Sequence, residues 1–363
     1  MSETERCERA RAELADRKWG GLLATPSVNF TYLTGIALER SERLTCFGLP
    51  RSGVPWIVCP GFEAERLSEQ VPDLRIVPWA ESEDPFRLAV QEIVAQPGTW
   101  GLEPTTAYHD ATRLAAAGPG LWLADGAPLF EKLRRRKDAE ELTTLRRAIS
   151  AAWEVHDEVV PAVARGITEE QLARGIVGAF ADRGCQGWAL VQFGPSSAVP
   201  HGEPGARALE PGTAVLLDWG GWRDGFTADL TRTYWWDEGM APAEDAPEEF
   251  RRVLETVRSA QAAGLAAAGP GAVAGEVDRA ARSVIEAAGW GPDFTHRLGH
   301  GLGREIHEAP YLVTGSRITL EPGDVVTVEP GVYLPGRFGV RWEDDVLVTD
   351  EGIEVLSRRS ATA

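Results

Sequence analysis

The segment Thr295-His-Arg-Leu-Gly-His-Gly-Leu-Gly-Arg-Glu-Ile-His-Glu-Ala-Pro310 decides how this sequence is interpreted. Three of the six histidines in the chain, His296, His300 and His307, lie within it. The glycines on both sides of His300 remove side-chain bulk, so backbone and ligand can approach this histidine closely. Any one of these histidines, taken alone, would be interpreted as a solvated residue in a glycine-rich turn.

Four acidic residues in the second half of the chain change that interpretation. Asp218 ends the apolar run that begins at Ala214, and Asp229 lies inside the next β-like run. Glu329 in VTVEPG and Glu343 in VRWEDD have similar surroundings. A lone charge at the end of a buried strand costs on the order of several kcal/mol. A salt-bridged strand end would explain each acid separately, but four acids and one histidine together require a shared counter-charge.

Two divalent cations would supply that counter-charge. The four carboxylates and one neutral histidine would bring the first coordination shell of two such ions close to neutrality. Two metals a few ångströms apart lower the pKa of a bridging water and polarise a carbonyl group in the same site. The residues therefore predict a hydrolytic dinuclear metal centre.

The order of these motifs resembles the metallopeptidase family of aminopeptidase P and prolidase. The resemblance spans roughly residues 130 to 355 and rests on five motifs: Asp218 in DWG, Asp229 in DLTRT, His300 in GHGLG, Glu329 in EPG and Glu343 in RWED. It implies an α+β pita-bread catalytic domain, preceded by a smaller α/β creatinase-like N-terminal domain. The first residues of the chain resemble that N-terminal domain by their position and by their pattern of strands and helices, not by a motif. Trp342 departs from the family pattern, in which an aliphatic residue is common there, and we expect only a packing variation.

The resemblance also implies a role for each metal ligand. Asp229 and Glu343 bridge both metals, Asp218 completes one site, and His300 and Glu329 complete the other. An oxygen-rich shell suits Mn²⁺, and Co²⁺ or Zn²⁺ could substitute. A bridging hydroxide then attacks the carbonyl that precedes proline, with Glu329 as the proton acceptor.

Other residues are assigned around the metals by the same resemblance. His201, in AVPHG, and His307 match histidines that stabilise the tetrahedral intermediate by donating hydrogen bonds to its oxyanion. His296 lines the proline pocket. Arg341 lies two positions before Glu343 on the same strand face and holds a neighbouring acid or the substrate, with the ion pair slightly favoured. His109 and His156 are left as structural residues.

The pattern of β-like and helical runs along the chain predicts two domains, residues 1–130 and 131–363. Short β-like runs alternate with helical patterns in the first, which is typical of a layered α/β domain. One long amphipathic helix is expected from Phe130 to Val160, and a capping box at Thr168 predicts a second helix to about Asp182. Blocks of strands and helices after that predict an α+β domain with an antiparallel sheet. The expected strands of the first domain lie near residues 21–23, 56–59, 74–78 and 100–103, and those of the second near 188–194, 213–219, 226–236, 325–329 and 340–348, with helices at 247–268 and 276–288.

Composition limits the partners and the compartment. The 363 residues carry a formal charge of −18, which disfavours nucleic acid and anionic membranes as partners. Four widely spaced cysteines without a CxxC pair indicate free thiols and a reducing compartment. The charged N-terminal stretch shows no signal sequence, and no stretch is apolar enough for a membrane span. We expect a cytoplasmic enzyme and, from the resemblance, a homodimer.

The resulting prediction is hydrolysis of Xaa-Pro bonds in short proline-containing peptides, with an Xaa-Pro dipeptidase slightly favoured over aminopeptidase P. A dipeptidase must bind the free carboxylate after proline. Residues 30–34 are β-like, and Arg40 or Arg43 in the polar stretch that follows, from Ile36 to Thr45, could bind this carboxylate from a neighbouring subunit. Local Glu-Arg pairs in a solvated loop explain either arginine at least as well. Two alternatives stay open: a metal-dependent hydrolase or lyase of a non-peptide small molecule, and a non-catalytic binding module. A metal-free amidinohydrolase is disfavoured because all five ligand positions are retained.

Overall fold

The structure is a computed structural model that describes residues 2–94, 98–241 and 245–359. The chain forms two compact units, residues 1–134 and 135–363. Residue 130, the domain boundary predicted from the sequence, lies inside helix α6 (Ala127–Arg135). Within the described residues, no helix combines the length and the apolar character that crossing a membrane requires.

The first unit is built on a mixed six-stranded sheet in the order β4-β3-β2-β1-β5-β6. Strands β1 and β5, β5 and β6, and β3 and β4 run parallel, whereas β2 is antiparallel to both neighbours. Helices cover this sheet, as expected for an α/β layer. The strands are β1 (Gly21–Ala24), β2 (Cys46–Pro50), β3 (Trp56–Pro60), β4 (Arg75–Trp79), β5 (Thr99–Leu102) and β6 (Trp122–Asp125), and the helices before α6 are α1 (Glu3–Arg17), α2 (Val28–Thr34), α3 (Ala64–Gln70), α4 (Pro85–Val94) and α5 (Tyr108–Ala117).

One segment of the first unit differs from its predicted conformation. Residues 30–34 were expected to be β-like because they are aromatic and β-branched, but they form helix α2. The Ser27 side chain accepts a hydrogen bond from the Phe30 backbone amide at the helix start. Gly35 ends the helix in the left-handed conformation, with φ of 74°, which glycine adopts without steric cost. These two local end signals outweigh the strand propensity of the residues between them.

Among its described residues, the second unit contains two antiparallel sheets and four long helices. One sheet has the order β11-β10-β8-β7 with β9 paired to β8, and the other has the order β13-β12-β14-β17-β18. Strands β15 and β16 form a separate ribbon. The strands are β7 (Gln186–Phe193), β8 (Thr213–Arg223), β9 (Phe226–Thr227), β10 (Leu230–Trp236), β11 (Met240–Ala241), β12 (Gly299–Gly301), β13 (Glu308–Leu312), β14 (Val325–Val328), β15 (Gly331–Leu334), β16 (Phe338–Arg341), β17 (Asp344–Val348) and β18 (Ile353–Val355), and the helices are α7 (Ala139–Val159), α8 (Glu169–Asp182), α9 (Glu248–Ala267) and α10 (Ala274–Ala287).

The expected single helix from Phe130 to Val160 is wrong, because α6 ends at Arg135 and α7 begins at Ala139. Asp138 caps α7 by accepting hydrogen bonds from the amides of Glu140 and Glu141. The Glu141 carboxylate in turn accepts a hydrogen bond from the Asp138 amide, which completes a capping box. The hydrophobic spacing continues across this break, so periodicity alone could not reveal it. The capping box predicted at Thr168, by contrast, is confirmed.

Two hydrophobic cores hold the second unit together. In one, helices α7 and α8 pack on β7, β8 and β10 through fully buried residues such as Leu145, Phe180 and Trp219. In the other, α9 and α10 pack on β14, β17 and the β15–β16 ribbon through residues such as Val257 and Val328. A bridge between Thr231 and Glu343 connects the two sheets. The helices thus leave both sheets free to contribute polar side chains where they meet.

Candidate metal centre

The five predicted metal ligands come from both sheets of the second unit. Asp218 lies in β8, directly opposite Thr231 of β10, and Asp229 lies in the short link between β9 and β10. His300 lies in β12, Glu329 directly follows β14, and Glu343 directly precedes β17. Three of these side chains are buried, with relative exposures of 2% for His300, 4% for Asp229 and 1% for Glu343, and Asp218 and Glu329 are half-buried.

His300 lies at the centre of this group. Its Nε2 atom is 3.2 Å from Oε1 of Glu329 and 3.7 Å from Oδ2 of Asp229. One ligand atom each from Asp229, His300 and Glu343 lies within 4.8 Å of the other two. The His300 backbone amide donates to the Thr327 hydroxyl, which in turn donates to Glu329 at 3.3 Å. The imidazole and three carboxylates therefore converge on one small volume.

Asp218 is tied to the same group through Arg341. The Arg341 guanidinium donates to Asp218 Oδ2, to the Tyr333 hydroxyl at 2.9 Å and to the Thr231 hydroxyl at 3.0 Å. Thr231 donates its own proton to Glu343 Oε2 at 2.6 Å. Arg341 thus makes the ion pair with a neighbouring acid that the sequence analysis slightly favoured over direct catalysis.

The carboxylates of the cluster are close together and withdrawn from water, so additional positive charge would stabilise their ionised forms. Burial, together with the neighbouring carboxylates, raises the pKa of Asp229 and of Glu343 well above the ordinary values. Burial also raises the pKa of Asp218, despite the opposing charge of Arg341. Burial alone would raise the pKa of Glu329 as well, but its hydrogen bond from His300 and the histidine charge outweigh burial and lower it to about 2.

The donor atoms fit a divalent metal. Among the described residues, the buried atoms Oδ1 of Asp218 and Oε1 of Glu343 have no hydrogen-bond partner. Buried carboxylate oxygens are normally paired, so an unpaired oxygen in such a site is a candidate ligand atom. One imidazole nitrogen and several carboxylate oxygens form the donor set that hard to borderline divalent cations prefer. A divalent metal held there would polarise a substrate carbonyl and lower the pKa of water.

The other predicted histidines lie at different distances from this centre. The His307 ring is 4.3 Å from the His300 ring, edge to face, and burial lowers the pKa of His307 to about 4. His296 Nε2 is 2.8 Å from the Tyr333 hydroxyl, and burial lowers its pKa to about 4 as well. His201 is exposed. The carbonyl oxygen of the preceding residue, Pro200, accepts a hydrogen bond from Arg341 at 3.4 Å, so the segment that carries His201 contacts the cluster.

The two arginines proposed to bind the substrate carboxylate lie in the exposed loop that the sequence predicts. Arg43 pairs with Glu42 and, at 2.8 Å, with Glu81, and its guanidinium lies 5.9 Å from the centre of the Phe62 ring. Arg40 is exposed. Arg43 therefore makes the local Glu-Arg pairs that the sequence analysis offered as the alternative explanation.

Sequence reasoning missed several residues that hold the ligands in place. Thr231, Tyr333 and Thr327 carry the hydrogen bonds described above, and the sequence analysis gave them no role, although Thr231 and Thr327 lie inside the motifs DLTRT and VTVEPG. Arg232 donates to the carbonyl oxygens of Thr231 and Glu343 and to the Asp344 carboxylate. Its position in DLTRT, three residues after Asp229, is the only signal that could have drawn attention to it.

The fold and the donor set together define a metal-dependent hydrolase with two sheets around a carboxylate-rich centre. Residues 143–350 match the family described as Metallopeptidase family M24, and residues 6–136 match the Creatinase/Prolidase N-terminal domain. The chain therefore belongs to metallopeptidase family M24. The family and the α+β pita-bread fold class expected from the sequence are both confirmed.

Named relatives agree with this assignment. The chain is 35% identical to the probable dipeptidase PepE of Mycobacterium tuberculosis, over 94% of this chain and 91% of the relative. It is 33% identical to the putative dipeptidase YkvY of Bacillus subtilis, over 91% of each. Among solved structures, dipeptidase PepE from Mycobacterium ulcerans has a TM-score of 0.91 at 34% identity, covering 99% of this chain and 96% of its own. An Xaa-Pro dipeptidase from Bacillus anthracis has a TM-score of 0.88 at 28% identity, covering 99% and 98%.

Proposed function

We propose that this enzyme is an Xaa-Pro dipeptidase that uses two divalent metal ions, with Mn²⁺ as the native metal and Co²⁺ or Zn²⁺ as possible substitutes. The observation that carries the proposal is the convergence of His300 with buried carboxylates from both sheets. Relatives that align over nearly the whole chain are named dipeptidases, which favours a dipeptidase over aminopeptidase P. The substrates are short peptides with proline in the second position.

We assign the metals to the five residues as the sequence predicts. As the family resemblance implies, Asp229 and Glu343 would be shared by both ions, Asp218 would hold one ion, and His300 and Glu329 would hold the other. The unpaired oxygens of Asp218 and Glu343 support this assignment, since each offers a free ligand atom. Arg341 and Thr231 hold those two carboxylates through their other oxygens, so the free atoms keep a fixed direction.

The protein side chains perform the proton transfers and orient the peptide. Glu329 accepts the proton of the attacking water, and its carboxylate is held by His300 and Thr327. His201 and His307 donate hydrogen bonds to the oxyanion that develops on the scissile carbonyl, where such donors contribute about 10²-fold or more in rate. His296 is fixed by Tyr333 and lines the pocket for the proline ring.

A chelation and reconstitution experiment tests the proposal. The protein is stripped with EDTA, dialysed, and supplied separately with Mn²⁺, Co²⁺ or Zn²⁺. Metal content is then measured by plasma mass spectrometry, and hydrolysis of Ala-Pro, Ala-Pro-Ala and Ala-Ala by amino-acid analysis. We expect about two metals per chain and activity highest on Ala-Pro with Mn²⁺. Brisk cleavage of Ala-Pro-Ala would indicate aminopeptidase P, and bound metal without cleavage of any peptide would indicate a non-peptide substrate.

Assembly and location are proposed on narrower grounds. We propose a homodimer on the basis of the family resemblance. The molar mass measured by light scattering, as the protein elutes from a size-exclusion column, tests this oligomeric state directly. We propose a reducing, cytoplasmic location because the four cysteines are all buried free thiols. Burial raises the pKa of Cys7 to about 11 and that of Cys46 to about 12, so neither thiol is reactive.

A further inference from the structure

Arg297 is the third residue of the histidine-rich segment from Thr295 to Pro310, and none of the roles described above involves it. It is partly buried, and its guanidinium carbon lies 4.5 Å from the centre of the Tyr311 ring. Tyr311 of β13 is paired directly opposite His300 of β12. Directly opposed residues in antiparallel strands project from the same face, so Tyr311 and His300 share the face that bears the candidate metal centre.

Arg297 lies in the same short segment as the histidines of the centre. It directly follows His296 and precedes His300 by three residues, and the His300 ring packs edge to face on the His307 ring at 4.3 Å. Arg297 therefore adds a positive charge to the segment that carries these histidines.

Within the described parts of the chain, no carboxylate pairs with the Arg297 guanidinium. The neighbouring arginines do have such partners: Arg341 pairs with Asp218, and Arg304 with Glu141. Arg297 keeps its five N–H donors available while stacking on an aromatic ring, an arrangement that arginine uses to recognise carboxylates. Its charge is thus available for an anionic ligand.

The backbone around Arg297 is fixed from two sides. Arg282 donates to the carbonyl oxygens of Phe294 at 3.0 Å and His296 at 2.8 Å, while pairing with Asp278. The Leu298 amide donates to the Leu312 carbonyl and to Asp278, each at 3.0 Å. Because both neighbours are held, Arg297 can order a ligand at a small additional entropic cost.

We propose that Arg297, supported by the Tyr311 ring, binds the free carboxylate that follows proline in the dipeptide substrate. This inference rests on the proposed function and explains how the centre would prefer dipeptides. A bidentate guanidinium–carboxylate pair requires an unblocked C-terminus, and an amide or a further residue removes the negative charge at that position. Arg297 is thus a specificity-determining residue. It binds the substrate carboxylate for which the sequence analysis offered Arg40 or Arg43.

The test compares a free acid with its amide in matched variants. kcat/KM is measured for Ala-Pro and Ala-Pro-amide in the parent, Arg297→Gln, Arg297→Lys and Arg279→Gln. Arg279 is an exposed arginine on α10 and controls for the loss of one positive charge. We expect Arg297→Gln to lower kcat/KM for Ala-Pro about 10- to 100-fold, with a much smaller effect on the amide. Arg297→Lys should recover part of the discrimination, and Arg279→Gln should leave it unchanged.

A binding measurement separates recognition from chemistry. The dissociation constant of an Ala-Pro analogue with a reduced peptide bond is measured by calorimetry, as free acid and as amide, after metal content and thermal stability are matched. Arg297→Gln should weaken binding of the free acid alone. An unchanged acid-to-amide ratio in Arg297→Gln, with Ala-Pro still cleaved, overturns this inference and leaves the proposed function intact. Failure of the reconstituted parent to cleave Ala-Pro overturns both.

Discussion

The hydroxyl of Thr231 donates a 2.6 Å hydrogen bond to Oε2 of Glu343, across the line where the two sheets of the second unit meet. The same hydroxyl accepts a bond from Arg341, which itself pairs with Asp218. One small buried side chain thus orients carboxylates contributed by different sheets. Groups that orient metal ligands in this way have measurable effects on metal affinity.

Thr231→Val tests this orienting role, because valine keeps the shape of threonine and lacks the hydroxyl. We expect metal affinity to fall about 10- to 100-fold, since the Glu343 carboxylate loses its fixed direction. Competition with a chromogenic chelator measures the affinity. Thr231→Ser retains the hydroxyl and should stay close to the parent. Equal affinities in the valine and serine variants would show that the hydroxyl does not matter.

Asp229→Asn and Glu343→Gln test the assignment of both residues as shared ligands. Each change preserves shape but removes a charge that both ions need, so bound metal and activity should be lost together. Metal content by mass spectrometry and Ala-Pro hydrolysis provide the two readouts. Asp224→Asn is a suitable control, because Asp224 is exposed in the turn between β8 and β9. Full occupancy of both metals in either site variant would contradict the assignment.

His201→Ala and His307→Ala should affect the chemical step and leave the metals in place. Neither histidine is assigned as a ligand, so we expect kcat to fall about 10²-fold with metal content nearly unchanged. His109→Ala, which removes an exposed histidine of the first unit, serves as the control. If His307→Ala lost a full equivalent of metal, His307 would have to be reassigned as a ligand.

Arg232 is expected to be one of the strongest stabilising residues of the second unit. Its guanidinium lies between the Trp153 and Trp342 rings, 5.1 and 4.5 Å from their centres, and pairs with buried Asp344 at 2.7 Å. Arg232→Met leaves the Asp344 carboxylate buried without a cation, which costs about 3–5 kcal/mol. Urea unfolding of the metal-free protein measures this free energy.

The exposed pair of Arg146 and Glu354 provides the matched control for that measurement. Arg146→Met also removes a guanidinium from an ion pair, but both partners are solvated, so its free energy of unfolding should change by less than about 1 kcal/mol. Similar decreases in the free energy of unfolding in the two variants would mean that the burial of Asp344 does not strengthen its ion pair with Arg232. Trp342, the residue that departs from the family pattern, packs against Arg232.

His156 predicts how stability depends on pH. Burial, followed by the charges of Arg359 and Arg232, lowers its pKa from 6.5 to about 4, despite the contact with Asp157. Between pH 6.5 and 4 the unfolded chain binds a proton at this histidine and the folded chain does not. The free energy of unfolding therefore decreases on acidification, by up to about 1.4 kcal/mol per pH unit from this residue.

His156→Gln removes this contribution while an amide can still bond the Tyr234 hydroxyl, which lies 2.7 Å from His156 Nε2. The variant should lose less stability than the parent when the pH is lowered from 7 to 5. Urea titrations at both pH values supply the comparison. Parallel pH dependence in the two proteins would show that His156 is not buried in its neutral form.

The candidate metal ligands could be named from the sequence because ligands lie in short motifs of fixed residue type. Asp218, His300 and Glu329 each stand beside glycine or at the end of an apolar run, and these local signals survive without a structure. The helix starts at Thr168 and Asp138 are equally local, yet the second was overlooked because the hydrophobic spacing continues across it. A cap that interrupts a periodic pattern must be sought separately from the pattern.

The supporting residues could not be predicted in the same way. Thr231 and Tyr333 act through contacts with Glu343 and Arg341, which depend on how two sheets come together. Strand propensity also failed at residues 30–34, where Ser27 and Gly35 impose a helix. Propensity is a weak local preference, and it loses to end signals and tertiary contacts wherever these disagree.

The positions of the five proposed metal ligands along the sequence determine when the metal site can be completed during translation. Asp218 and Asp229 leave the ribosome first, and Glu343 follows Asp218 by about a third of the chain. A nascent chain that has completed only β7 to β10 holds two carboxylates and no imidazole of the centre. On the proposed ligand assignment, the full metal site can form only after β12, β14 and the start of β17 have been made, so metal binding there requires that both sheets have formed and joined.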